Sequence, residues 1–233
     1  MHLPGVGLVI VGIRLPCFRL AAALRRVPDP DAAAVLVERF GGRRVVEATA
    51  RAEAAGVRPG ISVREAVRLA PRAVVALDDP VRAAVAWRRV LDLLRALPGA
   101  VADGGPGLAF LTQCPAQAPE RWFTRVRDRL HATGLAVRCG AGPNRFVAYV
   151  ATHRAADAIC LPGREAAFVA DAPLELLALD AGIALRLRLL GVRTLGQLAA
   201  LSPRQLERFG EEAARRCALA SRGYEEPETA AGV

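Results

Sequence analysis

The sequence predicts an α+β fold: a split, ferredoxin-like domain carrying a small inserted unit, followed by a separate module of short helices. Three observations lead there. An apolar, glycine-spaced run of strand length, Val6 to Ile13, opens the chain and fits a central strand buried on both faces. Strand-length and helix-period segments then alternate to about residue 160, an order that suits a split α+β domain with an antiparallel sheet. From Arg164 onward only short helical segments follow, marked by a glycine turn and two capping boxes.

Each element has a local cause. Residues 18 to 26 are helical in pattern and end at Pro28-Asp29-Pro30-Asp31. Val35 to Val37 and Arg44 to Thr49 are short strands joined around Gly41-Gly42. Ser62-Val63-Arg64-Glu65 is a capping box, in which Ser and the Glu three residues on satisfy each other's orphan amides, so a helix starts there and stops before Pro71. Asp79-Pro80 supplies an N-cap and a proline at the first helical position, and Trp87, Val90, Leu91, Leu94 and Leu97 recur at helical spacing on a core-facing side. A Gly/Pro turn at 104 to 107 leads into a strand at Leu108 to Thr112. Trp122, Phe123, Val126 and Leu130 mark an amphipathic helix, Leu135 to Cys139 a strand, and Phe146 to Thr152 a helix after Gly142-Pro143-Asn144. Further on, Thr194-x-x-Gln197 and Ser202-Pro203-x-Gln205 are both capping boxes.

With 233 residues and 53% hydrophobic content the chain can bury a core. The opening apolar run is broken by glycines and ended by Arg14, too short to span a bilayer, and no signal-peptide cleavage pattern follows. A soluble, cytoplasmic protein is expected. The cysteines Cys17, Cys114, Cys139, Cys160 and Cys217 are scattered without metal-ligand spacing and are expected to be reduced, mostly core thiols. The net charge of +9 points to an anionic partner, nucleic acid before membrane. All 32 basic residues are Arg, as codon bias in a GC-rich genome would also produce, so charge alone leaves both explanations open. The last residues, Tyr224 to Val233, are acidic and expected to be flexible.

Few motifs carry chemistry. Leu190-Gly191-Val192-Arg193-Thr194 lies between two helices and resembles a helix-hairpin-helix, where backbone amides meet a DNA phosphate without reading sequence. A plain helical hairpin with a glycine C-cap is the simpler account of that spacing. Gly140-Ala141-Gly142-Pro143 lacks the remaining signature of a phosphate loop. His2, His131 and His153 are far apart. Gln205-Leu206-Glu207-Arg208-Phe209 superficially fits a sliding-clamp-binding peptide but sits in a periodic helix.

The order of landmarks resembles the Y-family (lesion-bypass) DNA polymerases of the DinB and UmuC type. The stretch from Val46 to Ile61, with Glu65-Ala66 and Leu69-Ala70-Pro71, is similar to the family's fingers. Leu108 to Thr112 resembles the palm strand that normally begins with Asp-Glu, and Arg138 to Ala148 the next palm strand, turn and helix. Leu190 to Leu201 with Arg208-Phe209-Gly210 looks like the thumb. The resemblance implies a palm at 1–30 and 80–163, fingers at 31–79 and a helical thumb at 164–223, with no little finger within these residues.

The chemistry departs from that pattern. Nucleotidyl transfer uses two magnesium ions held by carboxylates, because hard cations need anionic oxygen ligands that bracket the reacting phosphate. The family's first Asp falls on Arg14, and residues 1 to 28 contain no Asp or Glu at all. The later Asp-Glu pair falls on Gly107 and Leu108. The triphosphate-binding Tyr and Arg of the fingers fall on Ala50 and Glu53, and the later phosphate-binding Lys near Ala156. A Glu there repels phosphate. No metal and no cofactor are therefore expected, and DNA contact is assigned to Gly191, Arg193 and Thr194.

Within the family the Leu15-Pro16-Cys17-Phe18 start and the degraded site most resemble the ImuB-like proteins of mutagenesis cassettes. That likeness implies a non-catalytic, DNA-associated scaffold in translesion synthesis and DNA repair. Its implied partners are an error-prone C-family DNA polymerase, a RecA-like accessory protein and the sliding clamp. An active polymerase with relocated metal ligands, Asp103 among them, and a protein-interaction module without DNA binding are the alternatives.

Overall fold

The computed structural model describes residues 8–29, 31–115, 118–220 and 223. The opening apolar run becomes β1 (Leu8–Arg14), in which Val11, Gly12 and Ile13 are consecutively buried, as a strand covered on both faces requires. After it come α1 (Phe18–Leu24), β2 (Ala34–Val37), β3 (Val45–Ala48), α2 (Ala50–Ala54), α3 (Val63–Leu69), β4 (Val74–Leu77), α4 (Pro80–Arg95), β5 (Ala100–Asp103) and β6 (Leu108–Pro115). The chain continues through α5 (Glu120–Leu130), β7 (Arg138–Gly142), α6 (Arg145–Ala151), β8 (Ala158–Ile159), α7 (Glu165–Val169), α8 (Ala181–Leu189), α9 (Leu195–Ala199), α10 (Pro203–Glu207) and α11 (Glu211–Ala220). The strands form a five-stranded sheet in the order β5-β6-β1-β7-β8 and a three-stranded sheet in the order β3-β2-β4.

The expected antiparallel sheet needs one correction. β7 and β8 pair in parallel, with Gly140 opposite Ala158 and Ala141 opposite Ile159, because α6 lies between them and provides the crossover that a parallel pair needs. The strand expected at Leu135 to Cys139 also begins later, at Arg138. Thr133 Oγ1 accepts the Leu135 N–H, and Gly134, at φ 66, caps a short 3-10 turn, so the preceding residues stay in a bend.

Two compact units make up the chain. One comprises Ile13–Ala109 and Thr124–Val137. Inside it the small sheet has β2 antiparallel to β3 and parallel to β4, and its core gathers Val35, Val37, Val45, Ala52, Val57 and Ala66. Its helix signals work as the local rules require: Ser62 Oγ accepts the Glu65 N–H and Asp79 Oδ1 the Arg82 N–H.

The other unit carries the chain up to Gly12, Phe110–Phe123 and the chain from Arg138. Its core joins Val147 and Val150 of α6 to Leu174, Leu187, Leu195, Leu198 and Leu206 of the helical module. Three glycines set how closely α6 lies on the strands. A Cβ on Gly12 would stand 2.8 Å from the Ala148 carbonyl oxygen, one on Gly140 would stand 2.4 Å from Ala151 Cβ, and one on Gly142 would stand 2.7 Å from Val147 Cγ1. The glycine-rich end of β7 is thus a packing device. Gly140→Ala is expected to destabilise the chain by about 1–3 kcal/mol in chemical denaturation, whereas Gly42→Ala, with only ordinary contacts around its new methyl, is expected to stay within about 0.5 kcal/mol of the parent.

Candidate functional site

Arg14, Gly107 and Leu108 lie in the unit that comprises Ile13–Ala109. Leu15 donates its N–H to the Gly107 carbonyl (2.8 Å), which joins the end of β1 to the turn between β5 and β6. In that turn Asp103 Oδ1 accepts from Trp87 Nε1 (2.7 Å) and from the Gly105 N–H (2.8 Å). The Gly104 N–H donates to the Leu108 carbonyl, and the Leu108 N–H to that of Gly105. Phe18 packs edge-to-face on Trp87, with 5.1 Å between ring centroids. The end of β1 at Arg14 is therefore brought beside Gly107 and Leu108.

The backbone is nevertheless unsuited to a carboxylate at position 107. Gly107 has φ +95, and a Cβ there would lie 3.1 Å from Phe18 Cβ and 3.2 Å from the Leu15 carbonyl oxygen. An Asp would be strained by its own φ and crowded by α1. Asp103 Oδ1 closes the turn and anchors an indole, which is a structural role. Beside the turn lies a pocket of about 300 Å³ lined by Arg19, Pro80, Ala83 and Gly104 to Pro106, with no carboxylate in its wall. Among the described residues no group of three or more His, Cys, Asp or Glu side chains is placed to hold a metal, and no helix is long and apolar enough to cross a membrane.

Cys17 forms a second focus. It stands before α1 in the left-handed region (φ 54) and donates its thiol to the Ala48 carbonyl at 3.3 Å. Burial pushes that thiol up to about 11, with Glu47 and Glu53 raising it further and Arg14 opposing them. Arg14 and Glu53 thus act on the same thiol, and it stays protonated at neutral pH. Ala50 and Glu53 are exposed on α2, and Ala156 is exposed in the turn between α6 and β8, within the other unit. Cys114, Cys139, Cys160 and Cys217 are buried and outside any disulfide among the described residues.

Sequence reasoning did not find the charged group nearby. Arg19 pairs with the buried Asp78 carboxylate, Arg39 Nε donates to the Asp78 carbonyl (3.2 Å), and Glu47 Oε2 accepts the Leu20 N–H (2.9 Å). Burial raises the Glu47 carboxyl above the usual glutamate range, and the Leu20 N–H and Arg19 only partly offset it. The partners are 59 and 27 residues apart in sequence, so no local motif announces them.

The hairpin between α8 and α9 is a glycine-capped helical turn. Gly191 takes φ +83, its N–H donates to the Arg188 carbonyl, and the Val192 N–H donates to the Leu187 carbonyl, a Schellman arrangement. The amides expected to meet phosphate are engaged: Gln197 Oε1 accepts both the Arg193 N–H (2.7 Å) and the Thr194 N–H (3.2 Å). The Leu195 and Gly196 N–H groups donate to the carbonyls of Ala172 and Ala170. The Arg193 side chain is exposed on the hairpin. In α10, Leu206 is buried and Phe209 packs beneath the Arg186 guanidinium, so the clamp-peptide-like stretch is part of a helical core.

Residues 13–153 match the sequence profile of the impB/mucB/samB family. The chain belongs to that family. Its fold matches DinB from Sulfolobus solfataricus with a TM-score of 0.72 at 18% identity, over 94% of this chain and 68% of that one. An insertion ternary complex of Dbh DNA polymerase matches with a TM-score of 0.70 at 18% identity, over 94% of this chain and 69% of that one. The impB/mucB/samB domain here is thus an α+β, Y-family polymerase-type fold.

Two outcomes follow for this family member. Gly107→Asp is expected to lower stability by about 1–3 kcal/mol through backbone strain, and the pair Arg14→Asp with Gly107→Asp to show no magnesium-dependent rise in melting temperature. For Glu47, the folded protein binds its proton more tightly than the unfolded chain, so stability declines as pH rises from the ordinary glutamate value through the raised one. Glu47→Gln, which keeps an acceptor for the Leu20 N–H, is expected to flatten that decline in melting temperature measured against pH.

Proposed function

We propose that the chain is a non-catalytic, Y-family polymerase-like protein acting as a DNA-associated scaffold in translesion synthesis and DNA repair. The observation that carries this is the β5–β6 turn, where Gly107 stands at a φ and in a space that would strain and crowd a carboxylate, while Asp103 is held by Trp87 and Gly105. Arg14 adds a cation where a metal ligand would have to be. Ala50, Glu53 and Ala156 extend the loss to triphosphate contacts. The proposed organisation is a palm at 1–30 and 80–163, fingers at 31–79 and a thumb at 164–223; the acidic tail at 224–233 lies outside the described residues. In an ImuB-like role its partners are an error-prone C-family polymerase, a RecA-like accessory protein and the sliding clamp.

DNA contact in this proposal is through phosphate, without sequence preference, with Arg193 as the hairpin's contributor and Gly191 and Thr194 shaping the turn. A second reading, an interaction module without DNA binding, is favoured by the capture of the hairpin amides by Gln197. Retardation of primer-template DNA that weakens steeply with salt is expected, together with no nucleotide incorporation in magnesium or manganese. Incorporation abolished by Asp103→Asn would overturn the non-catalytic assignment. Arg193→Glu is expected to weaken DNA binding several-fold; unchanged affinity supports the interaction module.

A further inference from the structure

The β2–β3 hairpin ends in Arg39-Phe40-Gly41-Gly42-Arg43-Arg44, and the Phe40 ring is 83% exposed. A single exposed apolar side chain is ordinary on a protein surface. The surroundings set this one apart. Arg39, Arg43 and Arg44 are all exposed beside it, the intervening residues are glycines, and the one neighbouring acid, Glu38, accepts the Arg44 N–H through Oε2.

The tip is braced. Glu38 donates its N–H to the Arg44 carbonyl (3.0 Å), and Val63 donates its N–H to the Arg43 carbonyl (3.0 Å). Arg44 also forms a β-bridge with Ser62, and its Nη1 donates to the Gly60 carbonyl (2.7 Å). Arg39 is tied back through Nε to the Asp78 carbonyl. Gly41 at φ +89 and Arg43 at φ 46 make the reversal, leaving the ring on a supported turn.

We infer that this hairpin tip is a stacking site for an unpaired nucleobase, with Phe40 as the platform and the flanking arginines as contacts to the adjoining phosphodiesters. A flat π-face beside fixed cations matches what a single strand offers, a flat base on an anionic backbone, and it is tolerant of sequence because every base has a π-face. An aromatic anchor for a protein partner would be expected among apolar neighbours that exclude water around it; the sequence neighbours of Phe40 on the tip are arginine and glycine. The site rests on the proposed association with nucleic acid but needs neither the α8–α9 hairpin nor a polymerase centre.

Fluorescence anisotropy of the full chain tests this with oligothymidylate, oligouridylate and an abasic deoxyribose-phosphate strand of equal charge. Phe40→Ala is expected to weaken binding to the base-bearing strands by about tenfold and to leave abasic binding unchanged. Phe40→Trp is expected to keep the affinity and to lose emission on binding oligothymidylate. The native Trp87 and Trp122 are 3% and 7% exposed, so the quenched signal comes from the hairpin. Equal effects on the thymidylate and uridylate strands, or a preference for one, both support base stacking and differ only in the sugar or base methyl group accepted. Unchanged oligothymidylate affinity in Phe40→Ala, an equal loss on the abasic strand, or loss of self-association as the sole effect overturns the site. Salt-sensitive primer-template binding with a silent Phe40→Ala removes the stacking site and leaves the scaffold role. Phe40-dependent single-strand binding without primer-template retention does the reverse.

Discussion

One backbone hydrogen bond, from the Leu15 N–H to the Gly107 carbonyl, fixes the end of β1 against the turn between β5 and β6. Around that bond a side chain at position 107 would be strained and crowded, and glycine meets both the φ and the contact with α1 without cost. Asp103 serves the same turn from its other side, through an indole and a backbone amide. Within a fold of the Y-family polymerase type, this turn is held by structural bonds.

The charged groups near this turn support the same conclusion from another direction. Arg19, Asp78 and Glu47 bond to one another or to neighbouring backbone, holding α1 against the small sheet. Partly buried pairs of this kind add little net stability, yet removal of one partner leaves the other uncompensated. Their carboxylates are therefore committed to the scaffold. The cationic excess lies on exposed arginines, such as those of the β2–β3 hairpin and Arg193, where an anion can reach it.

Much of the fold was legible because its signals are local. Asp79-Pro80 and the Thr194-Gln197 box behave as isolated sequence rules require, and the first strand declared itself by length and apolar content. The short strands β4, β5 and β8 went unseen for a physical reason: β4 exposes most of its side chains, β5 buries none fully, and β8 has two residues, so none carries a two-residue hydrophobic period. The later start of β7 reflects the 3-10 turn capped by Gly134 and the Leu135–Thr133 bond, which hold the residues before Arg138 out of the strand. At the candidate site, missing acids could be read directly from residues 1 to 28, but the Arg19–Asp78 pair depends on tertiary structure. The hairpin holds a subtler lesson. A capping box and an amide-borne phosphate site both claimed the Thr194 N–H, and one donor cannot fully serve both.

The glycine-lined approach of α6 to β1 also bears on how the chain assembles. Gly12 meets Ala148, more than half the sequence away, and β1 sits between β6 and β7 in the sheet. During synthesis the first strand emerges long before either neighbour, and it cannot be enclosed until residue 142 has followed. Contacts of such sequence separation slow folding, because a long loop must close before they form. A strand buried on both faces is therefore made well before the neighbours that cover it, and until they follow it stays open to aggregation.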